Sequence, residues 1–210
     1  MTDLIFNGEG EFLDFSRFTK HTIWVDNGTW PSVEHYFQAS KFQDWKIKGR
    51  FHQNFFLYPE EAAKLAEDNK DSIRNDWTKI EANCMEKALY AKFTQYHELK
   101  VKLMKTVGKR LLFSSLDHHW SFANGAGENM YGDLLMKVRN RIQQISNRIE
   151  LPLPPWLVFP GVDPHDMFWR MGLGESYMLA WSKVYLGIGK PSSYQNEFPA
   201  PKDWSGFYDD

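Results

Sequence analysis

The sequence predicts an α+β fold: a mainly helical single domain with a small β-hairpin near its N-terminus. Three observations predict it. Residues 4–30 read as short strands and turns, ahead of the helices rather than alternating with them. Helical periodicity then dominates up to residue 150, most clearly in Tyr131–Ile149. At Leu151 the composition changes, and the rest of the chain holds most of the ten prolines and four of the nine tryptophans. This divides the chain into a domain over 1–150 and an aromatic- and proline-rich extension over 151–210.

The elements follow in order. Thr22–Val25 and Thr29-Trp30 flank Asp26-Asn27-Gly28, a hairpin turn signal. Pro31 or Ser32 opens a helix running to Lys41, since proline suits a first turn and serine caps an orphan N–H. A basic, polar stretch, Lys46–Arg50, comes next, and Pro59 starts a short helix over 60–68. Trp77–Thr106 reads as one long helix that Gly108 ends, with Trp77, Ile80, Cys84, Ala88 and Ala91 on one side and Glu81, Glu86, Lys87 and Lys92 around the rest. Leu111–Phe113 reads as an edge strand and Ser114–Asn129 as a loop. In Tyr131–Ile149 the apolar period is unbroken, with Lys137, Arg139, Arg141 and Arg148 as its solvated face. Leu-Pro-Leu-Pro-Pro from Leu151 cannot continue a helix. Apart from a helix around Glu175–Tyr185, the extension is expected to be irregular. It is too aromatic for disorder, and should pack as an arm across the first 150 residues or at an oligomer contact.

Composition narrows the function. The net charge is -2 with both signs mixed, so a nucleic-acid substrate would need a local patch rather than a global field. The single cysteine, Cys84, excludes an internal disulfide and a cysteine-based zinc site, and its helical spacing makes it a small buried residue. No apolar run approaches the ~20 residues that span a membrane. The acidic start MTDLIFNGEGEF is unlike a signal peptide, which makes the cytoplasm the expected compartment and the nucleus the second. The oligomeric state is left open.

The residues with chemistry in them begin on the Trp30–Lys41 helix. At roughly 100° per residue, Glu34, Gln38 and Lys41 fall within about 60° of one another. Phe37 and Phe42 border this stripe, Trp45 extends it and Tyr36 lies behind it. Plain solvated helices share the spacing; the aromatic borders are what favour a pocket floor. Asp117-His118-His119-Trp120 offers a general acid or base in Asp117, while adjacent histidines on a loop diverge and make a poor metal site. Gly125–Gly132 runs into a helix, where backbone N–H groups could hold a phosphate, although a plain turn has the same composition.

Together these motifs resemble the NADAR family of YbiA-like N-glycosidases. Thr29–Phe42, TWPSVEHYFQASKF, is similar to the family's TWPTxEHYFQAxKF. Asp76-Trp77 and Met85 through Ala88-Leu89-Tyr90-Ala91-Lys92-Phe93 are similar to its MxxALxAKF segment. Asp117-His118-His119-Trp120 and Gly127–Arg139, similar to GxNxLGxLLMxxR, complete the match over roughly residues 5–150. Three places depart from the pattern. Leu111-Leu112-Phe113 stands for LVE, Trp120-Ser121-Phe122-Ala123 for WGxG, and Phe12-Leu13-Asp14-Phe15 for FSNF.

The resemblance implies a compact, mainly helical α+β domain that hydrolyses a ribose C1–N bond and needs no metal or cofactor. It implies two substrate types: ADP-ribose on guanine in nucleic acid, or ribosylamino-pyrimidine phosphates that precede riboflavin. Glu34, Lys41, Trp77 and Asp117 map onto positions regarded as active-site in the family. On this reading Lys41 is the nucleophile, Glu34 a proton shuttle or oxocarbenium stabiliser, and Asp117 positions ribose hydroxyls or water. Trp77 and Trp120 stack the base, Gly127 and Asn129 meet phosphate, and Trp30 and Gln38 complete the substrate-binding set. Burial would lower the pKa of Lys41 and a charged Glu34 would raise it, and the sequence leaves that balance open. The rival readings are a domain that binds ADP-ribose without cleaving it, and a nucleic-acid binder using Lys137, Arg139 and Arg141.

Overall fold

The computed structural model describes residues 2–52 and 58–209. Among these residues four short strands make two sheets: β1 (Thr2–Phe6), β2 (Ile23–Val25), β3 (Gly28–Trp30) and β4 (Lys109–Phe113). β1 and β4 pair in parallel, Thr2 opposite Lys109 through Phe6 opposite Phe113. The strand expected at Leu111–Phe113 is therefore real, and its partner is the chain's first residues. β2 and β3 form the expected hairpin. Its two turn residues, Asp26 (φ 51°) and Asn27 (φ 58°), are both left-handed, as a type I′ turn requires.

The helices are α1 (Val33–Ser40), α2 (Trp45–His52), α3 (Pro59–Glu67), α4 (Trp77–Gln95), α5 (His97–Met104), α6 (Met130–Ile145), α7 (Pro155–Val158), α8 (Gly172–Gly187) and α9 (Ser192–Glu197). The fold is α+β. α1 is its centre: every residue from Val33 to Ser40 is buried. Ser32 caps it, its hydroxyl accepting from the His35 N–H at 3.4 Å. α2, α3 and α4 pack around it.

Several boundaries differ from expectation, each for a visible reason. The basic, polar stretch Lys46–Arg50 lies inside α2. Trp77–Thr106 is two helices, broken at Tyr96 (φ -120°, ψ 106°). There the side chains serve the hairpin instead. The Gln95 amide bonds both the N–H and the carbonyl of Trp24, at 2.8 and 2.9 Å, and the Tyr96 hydroxyl donates to the Thr22 carbonyl at 2.8 Å. Tertiary hydrogen bonds have replaced one turn of helix. Cys84 is buried as expected, but Lys92 is buried too. α6 stops at Ser146, short of Ile149, and Arg139 faces inward rather than to solvent, donating to the Thr106 carbonyl at 2.6 Å and its hydroxyl at 2.9 Å.

The largest correction concerns the extension. It is not an arm but folds around a core of its own, which includes Leu153, Phe159, Tyr177, Trp181 and Tyr194. Proline removes N–H donors from this stretch yet leaves its carbonyls. Those carbonyls are acceptors: the Tyr194 hydroxyl donates to Pro152 at 2.8 Å and the Tyr177 hydroxyl to Leu153 at 2.5 Å. Lys100 of α5 fastens the extension to the domain. Its buried amine donates to the carbonyls of Arg148 and Ile149, both at 3.2 Å, and also to Leu151. A second contact sets Trp24 of β2 against Phe168, centroids 4.9 Å apart. Among the described residues, no helix is long and apolar enough to cross a membrane.

Lys100→Met should destabilise the protein by about 3 kcal/mol, because buried carbonyls lose their donor. Urea unfolding measures this. Burial lowers the Lys100 pKa to about 8, so from there to its unfolded value the unfolded chain binds more protons than the native one. The Lys100 contribution to stability therefore rises with pH above about 8, and this rise should vanish in the variant.

Candidate active site

The site begins with a buried carboxylate. Glu34 on α1 is 0% exposed, and its only cationic partner within ion-pair distance among the described residues is Arg17, Nε to Oε2 at 3.0 Å. Arg17 sits on a turn that Lys92 holds from below. The Lys92 amine donates to the Ser16 carbonyl at 2.7 Å and to the Thr19 hydroxyl at 2.6 Å. Burial lowers the Lys92 pKa to about 7. The Arg17 carbonyl also accepts from the Glu34 N–H at 3.2 Å, so turn and helix are joined by backbone as well as by charge. Above the guanidinium lie the rings of Phe18, Phe37 and Trp120, with centroids at 5.0, 5.4 and 5.5 Å.

The predicted stripe is present. Gln38 donates to Glu34 Oε1 at 2.5 Å, and the half-buried Lys41 places Nζ 5.8 Å from the Phe37 ring and 5.9 Å from that of Trp77. Trp77 and Trp120 both meet Phe37 edge-on, at 5.0 and 5.4 Å. Polar groups of opposite sign thus lie under an aromatic wall. Burial raises the Glu34 pKa against the pull of Arg17, the Gln38 hydrogen bond and Lys41. Burial lowers the Lys41 pKa, opposed by Glu34 and assisted by Arg17. The balance left open by the sequence falls on the side of burial.

Unsatisfied polar atoms concentrate here. Arg17 Nη1 and Gln38 Oε1 are buried without a hydrogen-bond partner among the described residues, and Glu34 Oε2 has Arg17 at ion-pair distance but no aligned hydrogen bond. Buried polar groups are normally paired, so an unpaired donor and acceptor beside a buried acid make this the candidate binding surface.

Other expected site residues are placed differently. Trp30 is buried on the far side of α1 from Glu34, donating to the Val25 carbonyl at 3.2 Å and packing on Tyr36 and His52 at 5.5 and 5.0 Å. It supports the hairpin, not the stripe. Trp45 is 75% exposed and Phe42 turns into the core onto Phe51, so neither walls the site. Asp117 is exposed. Its Oδ1 accepts from the His119 N–H at 3.1 Å, shaping the loop that delivers Trp120 to Phe37.

The glycine loop uses most of its N–H groups internally. The N–H groups of Glu128, Asn129, Met130 and Tyr131 donate to the carbonyls of His118, Ser121, His119 and Trp120. Asn129 is 2% exposed. Its side chain accepts from the Phe113 N–H at 3.0 Å and donates to the Leu111 carbonyl and Asp133 at 3.0 and 2.9 Å. Gly127 (φ 112°) packs so closely on Ser121 that a Cβ would collide with its carbonyl. Gly127 and Asn129 therefore build the loop that carries Trp120.

Sequence reasoning missed Arg17, Lys92 and His119. His119 lies between two carboxylates, Nδ1 at 2.6 Å from Glu128 and Nε2 at 3.2 Å from Glu81. Arg17 had a signal. Phe15-Ser16-Arg17-Phe18 matches FSNF in three letters, whereas Phe12–Phe15 matches in two. Lys92 stands within the AKF segment, where helical spacing alone sets it among the charged residues around the rest of the helix. Among the described residues, no cluster of three His, Cys, Asp or Glu side chains is placed to hold a metal ion.

Comparison with known proteins places the chain in a family. The NADAR domain model matches residues 6–143. The N-glycosidase YbiA of Escherichia coli K12 is 36% identical over 147 residues, 68% of this chain and 91% of that protein. The chloroplastic riboflavin biosynthesis protein PYRR of Zea mays is 36% identical over 143 residues, 61% of this chain and 23% of that protein. The NMR structure of E. coli YbiA superposes with a TM-score of 0.62 at 35% identity, covering 69% of this chain and 88% of that one. Fold, site and relatives define an enzyme acting on N-glycosyl bonds. The chain belongs to the NADAR domain family.

Arg17→Leu should destabilise the protein by about 3–5 kcal/mol near neutral pH, since it leaves the Glu34 charge buried and unpaired. The Glu34 pKa is raised in the folded state, so the charged form opposes folding above its unfolded pKa, and more so without Arg17. The deficit against wild type should shrink as pH falls and Glu34 takes up its proton, which thermal melts across the acid range will show.

Proposed function

We propose that this N-glycosidase removes ADP-ribose from guanine in nucleic acid, with Lys41 as nucleophile and Glu34 as acid. The observation that carries the chemistry is the opposite displacement of two neighbouring groups. Burial makes the Lys41 amine easier to deprotonate and the Glu34 carboxylate, paired with Arg17 at rest, easier to protonate. Both displacements run in the direction the first step needs, an amine that gives up a proton and a carboxyl that can deliver one.

In that step Lys41 Nζ bonds to the ribose C1, the C1–N bond breaks, and the departing base nitrogen takes the proton of Glu34. The ring then opens to a Schiff base on Lys41. Water hydrolyses it, releasing the sugar and returning the amine. Trp77, Trp120 and Phe37 supply flat apolar surface for a base. The N–H groups of Glu128–Tyr131 are taken by the carbonyls of His118–Ser121, and the buried Arg17 Nη1, without a partner among the described residues, is a donor that fits a phosphate or ribose oxygen. Asp117 keeps its proposed role toward ribose hydroxyls or water, and its carboxylate also shapes the Trp120 loop.

A second reading, hydrolysis of ribosylamino-pyrimidine phosphates, is favoured by the maize relative, whose name places it in riboflavin biosynthesis. Both substrates present a ribose C1–N bond and a phosphate to the same residues.

Release of free ADP-ribose from an oligonucleotide carrying it on guanine is the deciding assay. Wild type should release it, and Glu34→Gln should lose about 10²–10⁴-fold in kcat. No release by folded wild-type protein, with turnover of the pyrimidine phosphates, would reject the first substrate and keep the chemistry. Lys41→Arg should be nearly inactive, because a guanidinium does not deprotonate. Borohydride should trap the sugar on Lys41 of the wild type, found as a mass increase on its peptide. Full activity in Lys41→Arg with no trapped adduct would remove Lys41 as nucleophile.

A further inference from the structure

A cleft of about 580 Å³ lies where the extension docks, within the size range of small-molecule sites. One side is the domain, with Trp24 and Asp26 of the hairpin, Lys87 and Tyr90 of α4, and Arg141 of α6; the other is α7, with Trp156. The NADAR match ends at residue 143, so part of this wall comes from outside it. The cleft is also separate from the catalytic stripe. Asp26 at its rim accepts from the Tyr36 hydroxyl at 2.6 Å, and Tyr36 projects from α1 away from Glu34.

Its chemistry is specific. The Arg141 guanidinium lies 3.9 Å from the centroid of the Tyr90 ring and has no carboxylate within ion-pair distance among the described residues. Its neighbours on α6 are committed, Lys137 to Glu86 at 2.6 Å and Arg139 to Thr106. Lys87 is shared with Asp26 at 3.1 Å, so the charged lining is two cations and one acid. The rings on either side are held in place. Trp24 is backed by Phe168, and Trp156 by Trp204 and Phe207 at 5.5 and 5.3 Å. Fixed aromatic faces beside an uncommitted planar cation suit one ligand class, a flat heterocycle bearing a phosphate.

We propose that the cleft between the hairpin, α4, α6 and α7 is a second binding site, for a mononucleotide. The base lies against Trp24 and Trp156, and the phosphate meets Arg141. The site is independent of which substrate the catalytic stripe takes.

Calorimetric titration of the full chain with AMP, adenosine and inorganic phosphate tests this. AMP should bind saturably, at least tenfold more tightly than either fragment. Arg141→Gln and Trp156→Leu should each weaken AMP at least tenfold, and Lys41→Gln should leave its affinity unchanged. Arg141 is exposed, so its variant keeps the test decisive if Trp156→Leu disturbs the second core. The proposal is overturned if AMP shows no saturable binding. It is equally overturned if AMP affinity survives Arg141→Gln but falls in Lys41→Gln, which would place AMP in the catalytic stripe.

Discussion

The structure depends on one buried ion pair. A carboxylate with no exposure needs a compensating charge and dipoles, or it protonates. Arg17 supplies the charge, and the geometry of the N-terminal turn follows from that need. The turn is tied to α1 by the bond between the Glu34 N–H and the Arg17 carbonyl, and propped by Lys92 from α4. The guanidinium is then covered by three rings, one of which, Trp120, arrives on a loop far along the chain. That loop keeps its shape through Gly127 and the Asn129 side chain. N-terminal turn, central helix, α4 and the glycine loop thus converge on a single electrostatic requirement.

What the sequence made legible were features with local causes. The stripe of Glu34, Gln38 and Lys41 follows from helical spacing, and the hairpin from two residues that tolerate positive φ. What it hid were features decided by partners distant in the chain. Nothing local distinguishes Arg139, bonded to Thr106, from Arg141, which stays outside. The break at Tyr96 needs the hairpin carbonyls that recruit Gln95 and Tyr96. Glycine before a helix says that backbone N–H groups are accessible. It does not say that neighbouring carbonyls already occupy them. Trp30 heads the same segment as Glu34, which is why it joins the expected substrate-binding set, yet α1 separates the two.

The extension shows how a proline-rich stretch can be ordered without its own backbone ladder. Its carbonyls have lost their neighbouring donors, so donors come from side chains: Tyr177 and Tyr194 within its own core, and Lys100 from the domain. Such bonds are directional, and three from one lysine fix the point at which the chain leaves α6. Ser146 ends the helix, and the chain then runs straight into Lys100's reach. The aromatic density that suggested an arm over the domain is instead the filling of a second core.

Returning to the stripe, the two displaced pKa values reinforce each other. A charged Glu34 would hold the proton on Lys41, and a charged Lys41 would pull the proton from Glu34. Once either is neutral, the pressure on the other to ionise falls, so burial acts on the pair rather than on each group alone. Arg17 biases the outcome. Its charge is permanent, which disfavours a second cation at Lys41 while favouring charge on Glu34. The division of labour between the basic residues follows. On the proposed mechanism, the group that stays charged is an arginine packed among rings, and the group that loses its proton is a lysine, half-buried against Phe37 and Trp77. Exchanging them would leave the net charge intact and move the amine away from the place where the proposed nucleophile stands.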